Sequence, residues 1–254
     1  MRRRSDRFQS SNPAFRRAAW ADKAGVHTGA RQEVMTVDGA ATKAGILLML
    51  TVLSAAWAWG QGAAGVNTQP LMMGGVFGGL ILALIIAFKP TTAPFLAPLY
   101  ALAEGLFIGA LSLFADRMFP GIVVPAVTLT FGTLAALLVA YRTGLVRATP
   151  GFRRMVYAAT GAIFLIYMVN MVMGFFGSSI PMIHGGGMVS IGFSLVVVAI
   201  AAFNLVLDFD LMERGAKEGM PKFMEWYAAW ALLVTLVWLY VEILHLLMKL
   251  QDRD

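Results

Sequence analysis

The chain has 254 residues, of which 59% are hydrophobic and only 13% are charged, and it contains no cysteine. Soluble domains carry about a quarter charged residues, so this composition excludes an ordinary soluble protein and indicates one that is integral to a membrane. The lack of cysteine excludes disulfides, thiol catalysis and cysteine-ligated metals.

Positive charge is concentrated at the N-terminal end. Residues 1–43 contain nine lysines or arginines against four acidic residues, so they contribute +5 of the formal net charge of +6. A basic segment before an apolar run is typical of a cytoplasmic tail that fixes orientation and contacts anionic lipid. We therefore interpret residues 1–43 as a flexible cytoplasmic tail, and not as a nucleic-acid-binding arm, and residues 44–250 as one transmembrane domain.

Seven apolar runs are long enough to cross a bilayer as helices. They lie at 44–60, 71–88, 95–115, 121–141, 155–176, 188–211 and 226–248. Short segments rich in glycine, proline and polar residues separate them, which predicts that neighbouring helices run antiparallel. The fold class predicted from the sequence is an all-α integral membrane protein with a bundle of about seven transmembrane helices.

Basic residues favour alternate loops, which indicates an orientation. The second, fourth and sixth loops contain Lys89, Arg142, Arg147, Arg153, Arg154, Arg214, Lys217 and Lys222, whereas the other loops contain only Arg117. Basic loops remain in the cytoplasm, so we expect a cytoplasmic N-terminus and, with seven spans, an external C-terminus.

Glycines at intervals of four predict close helix packing. The pairs are Gly74 with Gly78, Gly75 with Gly79, and Gly105 with Gly109. Small residues at this spacing let two helix backbones approach each other in lipid.

Three acidic residues fall inside apolar runs, namely Glu104, Asp208 and Glu242. An ionised carboxylate in lipid costs at least about 2.5 kcal/mol, so such residues face the bundle interior and either pair or take up a proton. We interpret them as an ion or proton site. The structural alternative is a protonated carboxyl that forms a hydrogen bond to a neighbouring helix.

Helical spacing extends this candidate site. Asn204 lies four residues before Asp208, and Thr235, Trp238, Glu242, His245 and Lys249 follow one stripe of the last run. Residues at these intervals share a helix face, and a polar face in lipid turns toward other helices or a water-filled path. The candidate residues are Asp208, Glu242, Glu104, Asp210, Asn204 and His245, with Asp210 nearer the cytoplasmic surface.

No enzymatic motif is complete. Glu242 and His245 have the ExxH spacing of metal-binding bundles, but such bundles need a second copy and the chain has three histidines in all. Ser194 in IGFSL lacks the GxSxG pattern of serine hydrolases. We predict that the protein is not an enzyme and has no cofactor.

The order of four motifs resembles the Bax inhibitor family of membrane proteins, which includes bacterial members. The motifs are LAEGLFIGAL (102–111), VTLTFGTLAAL (127–137), NLVLDFDLMERGAKEG (204–219) and LYVEILHLLMKL (239–250). The resemblance covers about residues 44–250. It implies a seven-helix bundle wrapped around the last helix, a pH-sensitive calcium leak, and a bacterial cytoplasmic membrane as the location.

In that family, an acid of the sixth helix and an acid of the last helix form a carboxylate dyad whose protonation closes or opens the path. The resemblance places Asp208 and Glu242 at these positions, where they would also hold calcium transiently. However, 33 residues separate the two. With a turn at 219–221, straight helices would place them about 15 Å apart in depth. Glu104, at a depth similar to that of Asp208, is the competing partner, and Glu225 near the interface is a weaker one.

Two functions remain open. The first is a leak channel or exchanger for calcium or another cation, gated by protonation of the intramembrane carboxylates. The second is a non-transporting regulator that binds a membrane protease or another membrane protein through its tail and glycine-rich faces. The expected partners are membrane lipids, calcium or protons and, on the second hypothesis, the protease; nucleic acid is not among them.

Overall fold

A computed structural model describes residues 34–177 and 187–252 of the chain. These residues form seven long helices: α1 (Val37–Ala63), α2 (Gln69–Phe88), α3 (Ala93–Met118), α4 (Val123–Arg142), α5 (Pro150–Phe175), α6 (Met188–Lys217) and α7 (Met224–Gln251). One turn of 3-10 helix, Pro90–Thr92, precedes α3. All seven are long and apolar enough to cross a membrane, which confirms the predicted all-α integral membrane fold.

Most helices extend beyond the apolar runs from which they were predicted, because polar residues continue the helix past the apolar part at one or both ends. α1 begins at Val37, so its first residues belong to the range assigned to the tail. The Thr36 hydroxyl accepts a hydrogen bond of 3.0 Å from the Gly39 amide, which satisfies a free donor at the helix start. α6 continues to Lys217 and has two basic residues in its last turn, where their positive charges interact favourably with the negative end of the helix dipole. The rest of the predicted tail, residues 1–33, lies outside the described residues.

The last helix occupies the interior of the bundle. α7 packs against α1, α3, α4 and α6, and its side chains Leu239 and Leu244 are fully buried. α5 makes its main helix contacts with α6. We call the side of the bundle on which α1 and α7 begin the tail side, and the opposite side the far side.

Four glycines of α2 and α3 let neighbouring helices pack closely. A Cβ at Gly105 or Gly109 would overlap backbone atoms of α1, at Thr51 and Ala55 respectively. A Cβ at Gly75 would lie 2.6 Å from the Ala103 carbonyl oxygen of α3, and one at Gly79 would lie 2.8 Å from the Glu104 carboxylate. Close packing at these two predicted pairs is confirmed.

The third predicted pair does not pack in this way. A Cβ at Gly74 would meet no atom within 4 Å, and one at Gly78 would only touch the Ala103 side chain at 4.0 Å. These two glycines lie on the adjacent face of α2, so the prediction of close packing was wrong for them.

At the tail side, the segment before α1 is attached to the segment before α7. The Met35 amide donates a hydrogen bond of 2.7 Å to the Met220 carbonyl, and Val34 forms a single bridge with Pro221. In the first turn of α7, the fully buried Glu225 carboxylate accepts hydrogen bonds of 2.9 Å from both the amide and the hydroxyl of Thr36.

Candidate functional site

Asp208 lies on α6 and faces α7. Its carboxyl lies beside the Thr235 hydroxyl, which donates a hydrogen bond of 3.2 Å to the Ala231 carbonyl of its own helix. The second carboxyl oxygen, Oδ2, is buried and has no hydrogen-bond partner among the described residues. An unpartnered buried oxygen is costly, so a proton or a cation would be favoured at this position.

Asn204 lies one turn from Asp208 and connects α6 to α5. Its amide donates hydrogen bonds of 2.8 Å to the Thr160 hydroxyl of α5 and 2.9 Å to the Ile200 carbonyl. The predicted polar face of α6 therefore exists and lies between α5 and α7.

Asp210 is buried, with 7% exposure, near the tail-side end of α6. Its carboxylate pairs with Arg153 of α5 at 3.0 Å and with Arg214, one turn along α6, at 2.7 Å. Two guanidinium groups therefore neutralise one carboxylate and tie α5 to α6. In the sequence, Arg153 indicated only the orientation of the loops and was not recognised as a partner of this acid.

Glu242 is buried in α7, with 4% exposure. Its Oε1 atom accepts hydrogen bonds of 2.8 Å from the Tyr167 hydroxyl of α5 and 3.1 Å from the Trp238 indole of α7. Trp238 belongs to the stripe predicted for the last helix, whereas Tyr167 was not anticipated. Two turns beyond Glu242, the Lys249 amine donates a bond of 2.8 Å to the buried Ser194 hydroxyl of α6.

A cavity of about 750 Å³ lies between α5, α6 and α7 beside Glu242. Its polar lining comes from Thr160, Tyr167, Asn170, Ser194, Trp238, Glu242, His245 and Lys249. His245, a predicted site residue, lies on this surface with its side chain exposed. Thr160 both lines the cavity and binds Asn204, so polar side chains continue from the cavity toward Asp208.

Glu104 is half-buried in a different part of the bundle. Its carboxyl lies beside the Tyr100 hydroxyl of its own helix, α3, and against Gly79 of α2. Tyr100 in turn packs edge-on to Trp230 of α7, with ring centroids 6.1 Å apart. This acid therefore faces the α2–α3 interface.

The structure places the three intramembrane acids in separate environments. Asp208 meets Thr235, and Thr235 precedes Glu242 by seven residues, or about 10 Å along the axis of α7. Neither Glu242 nor Glu104 pairs with Asp208 in this arrangement. Among the described residues, no group of three or more histidine, aspartate or glutamate side chains could hold a metal ion. A calcium ion would depend on hydroxyl, carbonyl and water oxygens for most of its six to eight ligands.

The fold and the site define a class, that of seven-helix membrane proteins whose last two helices carry carboxylates inside the bundle. The family model described as "Bax inhibitor 1 like" matches residues 12–252, which is nearly the whole chain, and the protein belongs to this family. No curated protein and no solved structure matches the chain.

Proposed function

We propose that the protein is a cation leak pathway, for calcium, whose conductance is controlled by protonation of Asp208. We place it in the bacterial cytoplasmic membrane, as the resemblance to bacterial members of the family implies. Its N-terminus would lie inside, because the basic loops all lie on the tail side. The observation that carries the proposal is the Asp208 carboxyl, which lies beside the Thr235 hydroxyl and has a buried oxygen, Oδ2, without a partner among the described residues.

Through the Thr235 hydroxyl, the protonation state of Asp208 affects the hydrogen bonding of α7. A hydroxyl has one proton to donate, and two acceptors lie beside it, the Asp208 carboxylate and the Ala231 carbonyl. A neutral Asp208 can donate to the hydroxyl oxygen and leave the Ala231 bond intact. An ionised Asp208 accepts the hydrogen bond from the hydroxyl. The hydroxyl then no longer donates to the Ala231 carbonyl. Protonation therefore changes the hydrogen bonding of α7 at this point.

A polar route extends from Asp208 in both directions. Toward the far side, Asn204 and Thr160 lead to the cavity beside Glu242. Toward the tail side, the ion pairs of Asp210 with Arg153 and Arg214 close the space between α5 and α6. This arrangement is consistent with a closed pathway that has a cavity in its far-side half and a charged barrier on the tail side.

The decisive experiment measures calcium entry into dye-loaded liposomes that contain the purified full-length protein, from pH 6 to pH 8. We expect a pH-dependent flux in the wild type and a pH-independent flux in Asp208→Asn, which preserves shape and removes the titrating group. Glu104→Gln is the matched control, because it neutralises an acid at similar depth that faces α2, and it should behave as wild type.

Folded protein that gives no more flux than empty liposomes at any pH would overturn the leak proposal. The non-transporting regulator would then be the better account. Deletion of residues 1–33 distinguishes the two hypotheses directly. Calcium flux through a leak should survive the deletion, whereas a regulator that binds its partner through the tail should lose that binding.

A further inference from the structure

The cavity between α5, α6 and α7 has a chemical character of its own. Four aromatic side chains and one carboxylate, that of Glu242, contribute to its described lining; the aromatic residues are Phe164, Tyr167, Phe193 and Trp238. Its volume of about 750 Å³ is that of a site for a drug-sized organic molecule.

The aromatic rings are fixed relative to the carboxylate. Tyr167 and Trp238 both donate hydrogen bonds to Oε1 of Glu242, at 2.8 and 3.1 Å. Tyr167 also packs edge-on to Phe193 of α6, with ring centroids 6.4 Å apart. Three rings from three helices are thereby held around one buried negative group. A ligand would meet a preformed surface and would not have to order it.

This chemistry does not suit a metal ion. Calcium needs six to eight oxygen ligands, and one oxygen of the single carboxylate already accepts two hydrogen bonds. An organic cation has different requirements, since the faces of aromatic rings attract its diffuse charge and a single carboxylate balances it. We propose that this cavity binds a hydrophobic organic cation, with its charged centre at Glu242 and its apolar groups against Phe164 and Phe193.

Two basic side chains, His245 and Lys249, also face the cavity. The Lys249 amine is bound to Ser194 of α6, seven residues beyond Glu242, or about 10 Å along the axis of α7. Its positive charge opposes a cationic ligand and directs the charged centre of that ligand toward the Glu242 end. Replacement of Lys249 by methionine, which keeps the length of the side chain, should therefore strengthen binding of the cation.

The test compares two lipophilic ions of the same shape and opposite charge, tetraphenylphosphonium and tetraphenylborate. Equilibrium binding to the full-length protein in lipid nanodiscs is measured, and binding to empty nanodiscs is subtracted. We expect saturable binding of the phosphonium ion by the wild type. Glu242→Gln should weaken this binding at least about tenfold, because it removes the balancing charge and keeps the hydrogen bonds.

A second variant tests the proposal if Glu242→Gln does not fold. Phe164 is 61% exposed, so Phe164→Leu should leave the fold intact and weaken binding by about threefold through loss of one ring face. Glu104→Gln, which neutralises an acid outside the cavity, should bind as the wild type does. Equal binding by wild type and folded Glu242→Gln, or saturable binding of tetraphenylborate in place of the phosphonium ion, would overturn the proposal.

Because this assay measures binding at equilibrium in the absence of calcium, its outcome is independent of the leak activity. A protein that conducts calcium and ignores the phosphonium ion would refute the cation site alone. A protein that binds the phosphonium ion without calcium flux would refute the leak alone.

Discussion

The Asp208 carboxyl of α6 lies beside the Thr235 hydroxyl of α7 across a helix interface, and its buried oxygen Oδ2 has no hydrogen-bond partner among the described residues. Loss of the hydroxyl would remove the polar group that faces this carboxyl. We expect Thr235→Val to lower the free energy of unfolding by about 1–3 kcal/mol. Thermal unfolding in detergent, followed by circular dichroism, measures this change.

The double variant Asp208→Leu/Thr235→Val serves as the control for that prediction. Replacement of both partners by apolar groups of similar shape removes the unsatisfied oxygens, so the double variant should be more stable than Thr235→Val alone. Simple addition of the two single losses would show that the two side chains do not interact.

The sequence is enough to find the acids, but it does not reveal their partners. An acid inside an apolar run is conspicuous, so Glu104, Asp208 and Glu242 can be identified from the pattern alone. The residues that bind them depend on how helices face each other across the bundle. Tyr167 lies 75 positions from Glu242 and carries no signal in a run of other apolar residues.

Helix boundaries and packing faces show the same limit. From the sequence, Glu225 was only a weaker candidate partner for Asp208 near the membrane interface, whereas in the structure it is fully buried and binds Thr36 and Lys43. The spacing of glycines on α2 fits two faces equally well, and only the position of α3 selects one of them. Local pattern therefore predicts the number and type of helices, whereas rotation about each helix axis is decided by packing between helices.

The ion pair between Asp210 and Arg153 should hold the tail-side ends of α5 and α6 together. Arg153→Gln leaves Arg214 to neutralise the carboxylate, so we expect a loss of only about 1 kcal/mol in stability. The distance between the two helix ends should become longer and more variable. Because the chain contains no native cysteine, spin labels on Gly151→Cys and Lys217→Cys report this distance without interference.

Arg154 provides the matched control for that experiment. It is adjacent to Arg153 in sequence and is exposed, so Arg154→Gln should leave the spin-label distances unchanged. If the proposed leak is correct, Arg153→Gln should also raise calcium flux at neutral pH, and Arg154→Gln should not. Identical distance distributions in both variants would show that the ion pair does not restrain α5.

Packing of the Glu225 carboxylate against the start of α1 should require glycine at position 39. A Cβ at this position would overlap the carboxylate, which Thr36 and Lys43 hold in place. We expect Gly39→Ala to lower the free energy of unfolding by about 1–3 kcal/mol, because the carboxylate must move away from its donors. Gly45→Ala on the same helix meets no atom within 4 Å and should be neutral or stabilising. Equal melting temperatures for the two variants would contradict this prediction.

Two neighbouring glycines of α2 allow the packing of α2 on α3 to be tested directly. A Cβ at Gly75 would lie 2.6 Å from the Ala103 carbonyl oxygen and 2.7 Å from the Phe107 amide nitrogen, both of which are backbone atoms. Backbone cannot yield as a flexible side chain can, so α2 and α3 would have to move apart. We expect Gly75→Ala to lower the free energy of unfolding by about 2–3 kcal/mol.

Gly74→Ala makes the same chemical change one position earlier, where no atom lies within 4 Å. In a helix, alanine is favoured over glycine by about 1 kcal/mol, so this variant should be as stable as the wild type or more stable. Thermal unfolding of the two variants in the same detergent compares them with helix propensity held constant. The opposite order of stability would mean that α2 is rotated so that Gly74 and Gly78 face α3, and Glu104 would then no longer lie against Gly79.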